Sequence, residues 1–415
     1  MEVVRTDFKF SEEEELFRKA LIEFCERYIA PVWVELDEKG GGIPPELYKR
    51  CAEQGITSIV YPEEYGGMGG TFMMACIAGE TLGYYDPSIA IPVGTVVVTN
   101  GWTAILAFYG TEEAKSEILP KVAEGTGFFG IATTEPQGGS DIPGIKTRAV
   151  RKDGKWVING EKAYISGVKE VLDLPWGGGW FLLAYTKPEL LHRGQTGFAF
   201  LAKKDGEVVP GFEYTLYEDW GRCGLSCGGF TLTDVEVDDK YVVGEEGHGF
   251  YHTMEGFNLA RIILSATTVG SARWALDQAK EWITTRKLFG RPISKFQNIS
   301  YRFAELYAKL EAARLAVYRA AWVADQIYIE KKPGWKRTDL NVPASIAKML
   351  GPETCHEVYE QVLKWYGAYG YTKECPVFRG HHGTWSYIIG AEGAQDVQRY
   401  IIAREVIGRE YVRWE

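Results

Sequence analysis

The chain has 415 residues, more than the roughly 250–300 that a single hydrophobic core usually spans, so we expect more than one domain. Its formal net charge of -10, from 46 basic and 56 acidic residues, argues against a general nucleic-acid binder, which carries a basic stripe. A local pocket can still bind an anionic ligand, because nearby charges dominate the potential there.

No segment of the sequence predicts export, membrane insertion or a metal site. Residues 1–17 lack the charged and apolar regions of a leader, and we expect no run of the roughly 18–20 apolar residues that spans a bilayer. The seven cysteines are scattered and odd in number, which is typical of a reducing compartment. Cysteines and histidines are also too dispersed for a zinc site. These features favour a cytoplasmic protein without a membrane span.

Residues 1–120 are predicted to form an N-terminal helical domain. Ser11 and Glu14 have the spacing of a capping box, and the acidic run 12–15 suits the first turn of a helix. Leu16, Ala20 and Phe24 then recur at helical spacing, which predicts an amphipathic helix.

Residues 121–242 are predicted to form a middle antiparallel β barrel or sandwich. Residues 152–155 read Lys-Asp-Gly-Lys between two β-like runs, which is typical of a tight hairpin. Residues 205–206 read Asp-Gly and indicate a second turn. Short apolar runs with such turns between them are typical of a small β domain.

Residues 243–415 are predicted to form a C-terminal domain that resembles a four-helix bundle. Apolar residues between Phe296 and Ile327 recur with alternating gaps of three and four, which places one apolar seam on a long helix. Two further long helices are predicted over residues 254–283 and 343–365. The whole chain is therefore predicted to have an α+β multidomain fold.

Three segments carry residue types that suit ligand chemistry. Residues 133–141 combine hydroxyl groups with adjacent glycines, a composition that exposes backbone N–H groups. Tyr164 and Ser166 stand two apart on a predicted strand, so they share a face and could contact one planar ring. Glu392 lies among small apolar residues, where burial would raise its pKa toward that of a general base. Each segment alone also fits an ordinary turn, strand or helix end.

Taken in chain order, several motifs resemble those of the FAD-dependent acyl-CoA dehydrogenase family along nearly the whole chain. The matching segments are residues 62–67, 134–141, 156–166, 285–297, 367–371 and 398–405. The resemblance implies an oxidoreductase that removes hydrogen from the α and β carbons of an acyl-CoA, with FAD as cofactor. It also implies a homotetramer and an electron-transfer flavoprotein as redox partner.

The resemblance also assigns roles by position. Glu392 is the implied catalytic base. The residues implied to bind FAD are Ile131, Thr133, Thr134, Tyr164, Ser166, Arg286, Phe289, Gln297 and Gly367, and among them Arg286, Phe289 and Gln297 would hold the FAD of a neighbouring subunit. The residues implied to bind the acyl-CoA substrate are Ser140, Phe250, Arg261, Ala391 and Gly393.

One departure from the family pattern concerns the substrate. The family commonly has a large residue, often tyrosine, directly before the base, whereas here Gly390 and Ala391 precede Glu392. Empty apolar volume is costly in a packed site, so the space predicts a bulky acyl group that is cyclic, branched or aryl-substituted. The competing interpretation is that Trp385 or Tyr387 fills the gap.

Two alternative functions stay open. A cyclic acyl-CoA dehydrogenase could form a diene with a base other than Glu392, such as Asp86. The segment 86–94 beside the expected acyl cavity has no arginine for a substrate carboxylate, which disfavours this option. A catalytically silent flavin- or CoA-binding assembly partner is the second, and the retention of Glu392, Thr134 and Ser166 argues against it.

Overall fold

A computed structural model describes residues 9–412, so residues 1–8, where the segment examined for a leader begins, and residues 413–415 lie outside the described chain. The N-terminal part is helical, with α1 Glu12–Tyr28, α2 Trp33–Lys39, α3 Pro45–Glu53, α4 Phe72–Tyr85, α5 Ala90–Pro92, α6 Val98–Tyr109 and α7 Glu112–Ala123. The predicted capping box is confirmed. The Glu14 N–H donates to the Ser11 hydroxyl at 3.2 Å, and the Ser11 N–H donates to the Glu14 carboxylate at 2.7 Å.

A long apolar helical stretch crosses the core at Ala90–Tyr109, where a π-helical turn at Val93–Val97 joins α5 to α6. Within residues 9–412 it is the one helix long and apolar enough to cross a membrane, and 89% of its apolar window is buried inside the fold. The prediction that no apolar run of this length is present is therefore wrong for this stretch. Threonines interrupt the run, but the Thr95 hydroxyl donates to the Ile91 carbonyl and the Thr99 hydroxyl to the Thr95 carbonyl. These hydrogen bonds lower the free-energy cost of burying the two hydroxyls.

The middle domain is built on one nine-stranded sheet. Its strands are β1 Gly127–Ala132, β2 Arg148–Lys152, β3 Lys155–Ser166, β4 Gly177–Tyr185, β5 Gln195–Lys204, β6 Glu207–Val208, β7 Phe212–Leu216, β8 Cys227–Val237 and β9 Val242–Val243, and helix α8 Val168–Asp173 follows β3. The main order is β6-β5-β4-β2-β3-β8-β7, with β1 also beside β4 and β9 beside β5.

The predicted β domain is confirmed, but its sheet is mixed rather than purely antiparallel. Strand β1 runs parallel to β4, because the chain between them crosses over through the β2–β3 hairpin and α8. The hairpin itself forms as predicted. Lys152 pairs with Lys155, and Asp153 and Gly154 adopt φ of 51° and 82°, the two positive values that a type I′ turn requires.

The C-terminal domain consists of α9 Gly249–Thr285, α10 Gln297–Ala324, α11 Asn341–Tyr366, α12 Val377–Ile389 and α13 Gln395–Ile407. A short hairpin, β10 Lys287–Leu288 and β11 Arg291–Pro292, lies between α9 and α10. The long predicted helices are confirmed with slightly wider bounds. Helices α9 and α11 run parallel, since Asn258 bonds Asn341 near one end and the Trp282 indole donates to the Trp365 carbonyl near the other.

Candidate active site

Glu392 lies in a short turn that links α12 to α13. Its φ of 56° and that of Gly393, 93°, are left-handed, so neither α12 nor α13 continues through this turn. A non-glycine residue held in this conformation stores backbone strain, which is characteristic of functional sites. The predicted base is therefore on a constrained turn rather than on a solvated helix end.

Two side chains fix the carbonyls of this turn. Arg261, buried on α9, donates from Nε to the Glu392 carbonyl at 2.8 Å, and its Nη1 donates to Asn258 Oδ1 at 2.9 Å. Gln398 on α13 donates from Nε2 to the Gly393 carbonyl at 3.2 Å. The φ of 93° at residue 393 would strain any residue with a Cβ, so glycine suits this position. The structure thus brings the predicted residues Arg261, Gly393 and Glu392 together.

The Glu392 carboxyl is partly buried, and burial raises its pKa. Lys348, Arg222 and Arg261 oppose this shift, because their positive charges favour the ionised form. Burial dominates, which suits a base that must hold a proton during the reaction. The structure therefore supplies the environment that the sequence predicted for this carboxylate.

Lys348 and Arg222 are two site residues that the sequence analysis missed. Lys348 on α11 is fully buried, its Nζ donates to the Tyr387 carbonyl at 2.6 Å, and burial lowers its pKa to about 7. Arg222, in the loop between β7 and β8, donates from Nη1 to the Tyr387 hydroxyl at 3.0 Å and from Nη2 toward the Ser166 hydroxyl at 3.5 Å. Lys348 stands within the apolar run 346–350, and a lysine in such a run indicates a buried charge. The sequence of the loop around Arg222 has no comparable feature.

The residues predicted beside the flavin form an exposed aromatic face at the end of β3. Tyr164 is 69% exposed with φ of 59°, and its ring centroid lies 5.5 Å from that of Tyr217. A large ring left open beside the Ser166 hydroxyl fits a planar cofactor that stacks on one side and accepts a hydrogen bond. These residues therefore fit the isoalloxazine ring of FAD.

The two polar motifs of the sequence meet in a buried ion pair. Glu135, from the loop 133–141, is 2% exposed and lies 3.0 Å from Lys162 of β3. Lys162 also donates to the carbonyls of Thr133 and Leu183, and Glu135 accepts from the N–H groups of residues 146 and 147. The pair holds the loop that contains Thr133, Thr134 and Ser140 against the sheet, where Ser140 stays exposed, and Ile131 lies just before this loop on β1.

Phe250 lies in the first turn of α9. It packs, with Met254 and Phe257, against a small separate core cluster made of Ile142, Ile145, Leu183 and Tyr185. Arg261 lies over the ring of Phe257, with its guanidinium carbon 5.6 Å from the centroid. Arg261 therefore contacts both the Phe257 ring and the Glu392 turn.

The remaining predicted FAD residues lie at the opposite end of the bundle. Arg286 follows the last turn of α9, Gln297 begins α10, and Gly367 follows α11. Phe289, on the short hairpin, is 93% exposed with φ of 51°. The structure groups these four residues with one another but not with Glu392.

Asp86, the alternative base, is fully buried and acts as a helix cap. Its two carboxylate oxygens accept from the Ser88 hydroxyl at 2.5 Å and from the Ile91 N–H at 2.8 Å. Burial raises its pKa to about 7. Because both oxygens are occupied within its own segment, the geometry favours Glu392 as the base. Within residues 9–412 no group of three or more His, Cys, Asp or Glu side chains could hold a metal ion.

Comparisons with known proteins match each of the three domains. Family models for the N-terminal, middle and C-terminal domains of acyl-CoA dehydrogenase match residues 11–126, 130–235 and 247–407. An acyl-CoA dehydrogenase of Bacillus subtilis (strain 168) is 30% identical over 405 residues, which cover 96% of this chain and 99% of the relative. The caffeyl-CoA reductase-Etf complex subunit CarC of Acetobacterium woodii is 29% identical over 396 residues, covering 95% and 98% of the two chains.

Among solved structures, butyryl-CoA dehydrogenase from Megasphaera elsdenii superposes with a TM-score of 0.86 at 31% identity, covering 97% of this chain and 100% of that chain. Proteins of this family bind FAD, which confirms the predicted cofactor, and the aromatic face around Tyr164 suits it. By sequence, fold and site, this chain belongs to the acyl-CoA dehydrogenase family, the FAD-dependent oxidoreductases that act on CH–CH groups.

Proposed function

We propose that this protein dehydrogenates the α,β bond of a bulky acyl-CoA thioester, with Glu392 as the base that removes the α proton. The observation that carries the proposal is the strained turn that holds Glu392 between three cationic side chains, next to the cofactor face at Ser166. FAD, when bound, supplies the acceptor for the β hydride.

The residues of the chain supply position and charge. Glu392 takes the proton, and its raised pKa makes that transfer easier. The resemblance implies that the Glu392 N–H donates to the thioester carbonyl, and one such donor is typically worth about 3–4 kcal/mol. Lys348, Arg222 and Arg261 also favour the negative charge that develops on the thioester as the proton leaves.

A matched pair of isosteric variants tests the base. Glu392→Gln keeps the shape of the site but removes the proton acceptor, so turnover should fall by about 10²- to 10⁴-fold while FAD stays bound. Asp86→Asn should keep turnover within about 10-fold, because asparagine can still cap the following helix. Turnover and the FAD content of both purified variants are measured. Loss of turnover in Asp86→Asn with retention in Glu392→Gln would reverse the assignment.

The space beside the base supports a bulky acyl group. Gly390 is exposed, and a Cβ there would meet no atom within 4 Å, so the chain itself leaves room for a larger group at this position. The Trp385 ring packs at a tilt against His356, with ring centroids 4.5 Å apart, and Tyr387 is buried with its hydroxyl bonded to Arg222. Both rings that could refill the gap are therefore engaged elsewhere.

Ala391→Tyr tests this part of the proposal. If the substrate occupies the space, the new ring should lower kcat/KM for cyclic or aryl acyl-CoA esters by about 10²-fold, the scale set by displacing a substrate by about 1 Å. Short straight-chain esters serve as the internal control and should be spared. Wild-type protein that prefers a straight-chain ester over every cyclic or aryl ester would contradict a bulky substrate.

The position of the second group of predicted FAD residues supports a homo-oligomer, proposed here as a tetramer. Arg261 and Arg286 are separated by about 37 Å along α9 at ~1.5 Å per residue, farther than one extended dinucleotide reaches. Arg286, Phe289 and Gln297 would then hold the FAD of a neighbouring subunit. A monomeric FAD-loaded protein on a sizing column would contradict this arrangement.

The electron acceptor and the cellular location complete the proposal. The Acetobacterium woodii relative is named as a subunit of a complex with Etf, which supports an electron-transfer flavoprotein as the redox partner. The seven cysteines are all unpaired, which supports a cytoplasmic location.

A further inference from the structure

Arg222 has an unused donor in the interior of the site. The residue is 7% exposed, yet its Nε has no hydrogen-bond partner. Its φ of 62° lies in the left-handed region, which costs free energy for an arginine. Its other donors meet only the hydroxyls of Tyr387 and Ser166. A buried guanidinium with such incomplete bonding is costly unless a ligand completes it.

The loop that carries Arg222 also packs against the wall expected for the acyl cavity. A Cβ on residue 224 would lie 3.2 Å from the Cβ of Ala90, and a Cβ on residue 94 would lie 2.9 Å from Leu225 Cδ1. Ala90 and Gly94 belong to the apolar segment that the sequence analysis assigned to that cavity. Arg222 therefore lies where the cofactor strand, the base turn and the acyl wall meet.

Cations outnumber carboxylates in this region. Within residues 9–412, no carboxylate lies within 4 Å of the charged nitrogens of Arg222, Lys348 or Arg261. The acids that influence Arg222 electrostatically are Glu392 and Asp219, both beyond that distance. Buried charge of one sign needs compensation, and the protein supplies too little here.

We propose that Arg222 binds a carboxylate on the acyl group, so that the preferred substrate is the CoA thioester of a dicarboxylic acid. The inference rests on the proposed dehydrogenation and names the class of its substrate. The guanidinium is the side chain that best matches a carboxylate, because its planar N–H groups can donate to both oxygens. The missing arginine of the segment 86–94 is thus supplied from a different part of the chain.

Matched pairs of CoA esters test the proposal on the FAD-loaded protein. Each dicarboxylic mono-CoA ester is paired with the monocarboxylic ester of the same carbon number, and straight-chain and branched pairs are both used. Wild-type protein should favour the dicarboxylic member of at least one pair by about 10- to 100-fold in kcat/KM and in affinity, the range for a hydrogen bond to a charged group. Affinity is read from the change in FAD absorbance when the esters bind to the FAD-loaded Glu392→Gln variant, in which the proposed base is absent and turnover does not interfere.

Two variants separate carboxylate binding from other roles of Arg222. Arg222→Gln should abolish the preference within each pair, and Arg222→Lys, which keeps the charge but not the planar fork, should retain part of it. If Arg222 also affects FAD, that effect changes kcat/KM and affinity equally for the two esters of a pair. It therefore cancels in the ratio of the two values. FAD content verifies that each variant is folded.

The outcomes are distinguishable from failure of the proposed function. Wild-type protein that binds both members of every pair equally, or Arg222→Gln that weakens both equally, overturns the assignment of Arg222. If wild-type FAD is reduced by monocarboxylic esters alone, dehydrogenation stands and only the dicarboxylic substrate is rejected. If no ester reduces FAD but the dicarboxylic members bind more tightly through Arg222, the carboxylate site stands and the dehydrogenation does not.

Discussion

The chain buries positive charge in two regions and treats it differently in each. Lys162 has a carboxylate, Glu135, at 3.0 Å and two carbonyls within 3.1 Å, so each of its three donors has an acceptor. Around Glu392, Arg222 and Lys348 reach hydroxyls and a single carbonyl but no carboxylate within hydrogen-bond distance. A buried charge without its partner is expensive.

The difference separates a structural site from a functional one. The Glu135–Lys162 pair joins two motifs that lie apart in the sequence and fixes the loop against the sheet. The chain does not fully offset the cost of burying the cations around Glu392. A ligand that supplies negative charge would offset this cost when it binds. Breaking the first should therefore lower stability, whereas changing the second should alter chemistry.

Glu135→Gln should have the larger effect on stability. It leaves the Lys162 ammonium buried without its carboxylate, and breaking such a pair typically costs about 3–5 kcal/mol of the free energy of unfolding. Denaturant unfolding measures the change. Glu161→Gln, at an exposed position next to Lys162, is the matched control and should lie within about 0.5 kcal/mol of wild type. A similar stability for both variants would mean that the pair does not anchor the loop.

The same pair predicts how stability depends on acid. The ammonium of Lys162 and its hydrogen bonds lower the pKa of Glu135 to about 2, although burial alone would raise it. A depressed folded pKa contributes stability that is complete above the unfolded value of about 4.3 and is lost as pH falls toward 2. The wild type should lose this contribution over that window, and Glu135→Gln should show a smaller slope there.

Lys348→Met should have a smaller effect, and one on chemistry. Removing a cation that favours ionised Glu392 raises the pKa of that carboxyl, so the acid limb of kcat/KM should move to higher pH by up to about one unit. The difference should vanish above about pH 7, where Lys348 loses its own proton because burial lowers its pKa to about 7. The pH profile of kcat/KM measures both features.

The control for this variant is Lys364→Met, an exposed lysine on the same helix. It should leave the profile in place, because solvent screens its charge from Glu392. An unchanged pH profile of kcat/KM in Lys348→Met would show that this cation does not shift the pKa of Glu392. The cations around Glu392 would then have no demonstrated role in the chemistry.

Local structure was determined by the sequence itself. The Ser11 cap, the turn at 153–154 and the long helices follow from spacing and turn chemistry, which depend on neighbours a few residues away. The family motifs likewise predicted that Glu392, Arg261 and Gly393 lie together. Only the tertiary structure decided that the polar loop at Glu135 is a buried ion pair and that Ala90–Tyr109 is an interior helix. It also placed Arg222 beside Ser166, since burial and charge compensation depend on contacts between segments far apart in the chain.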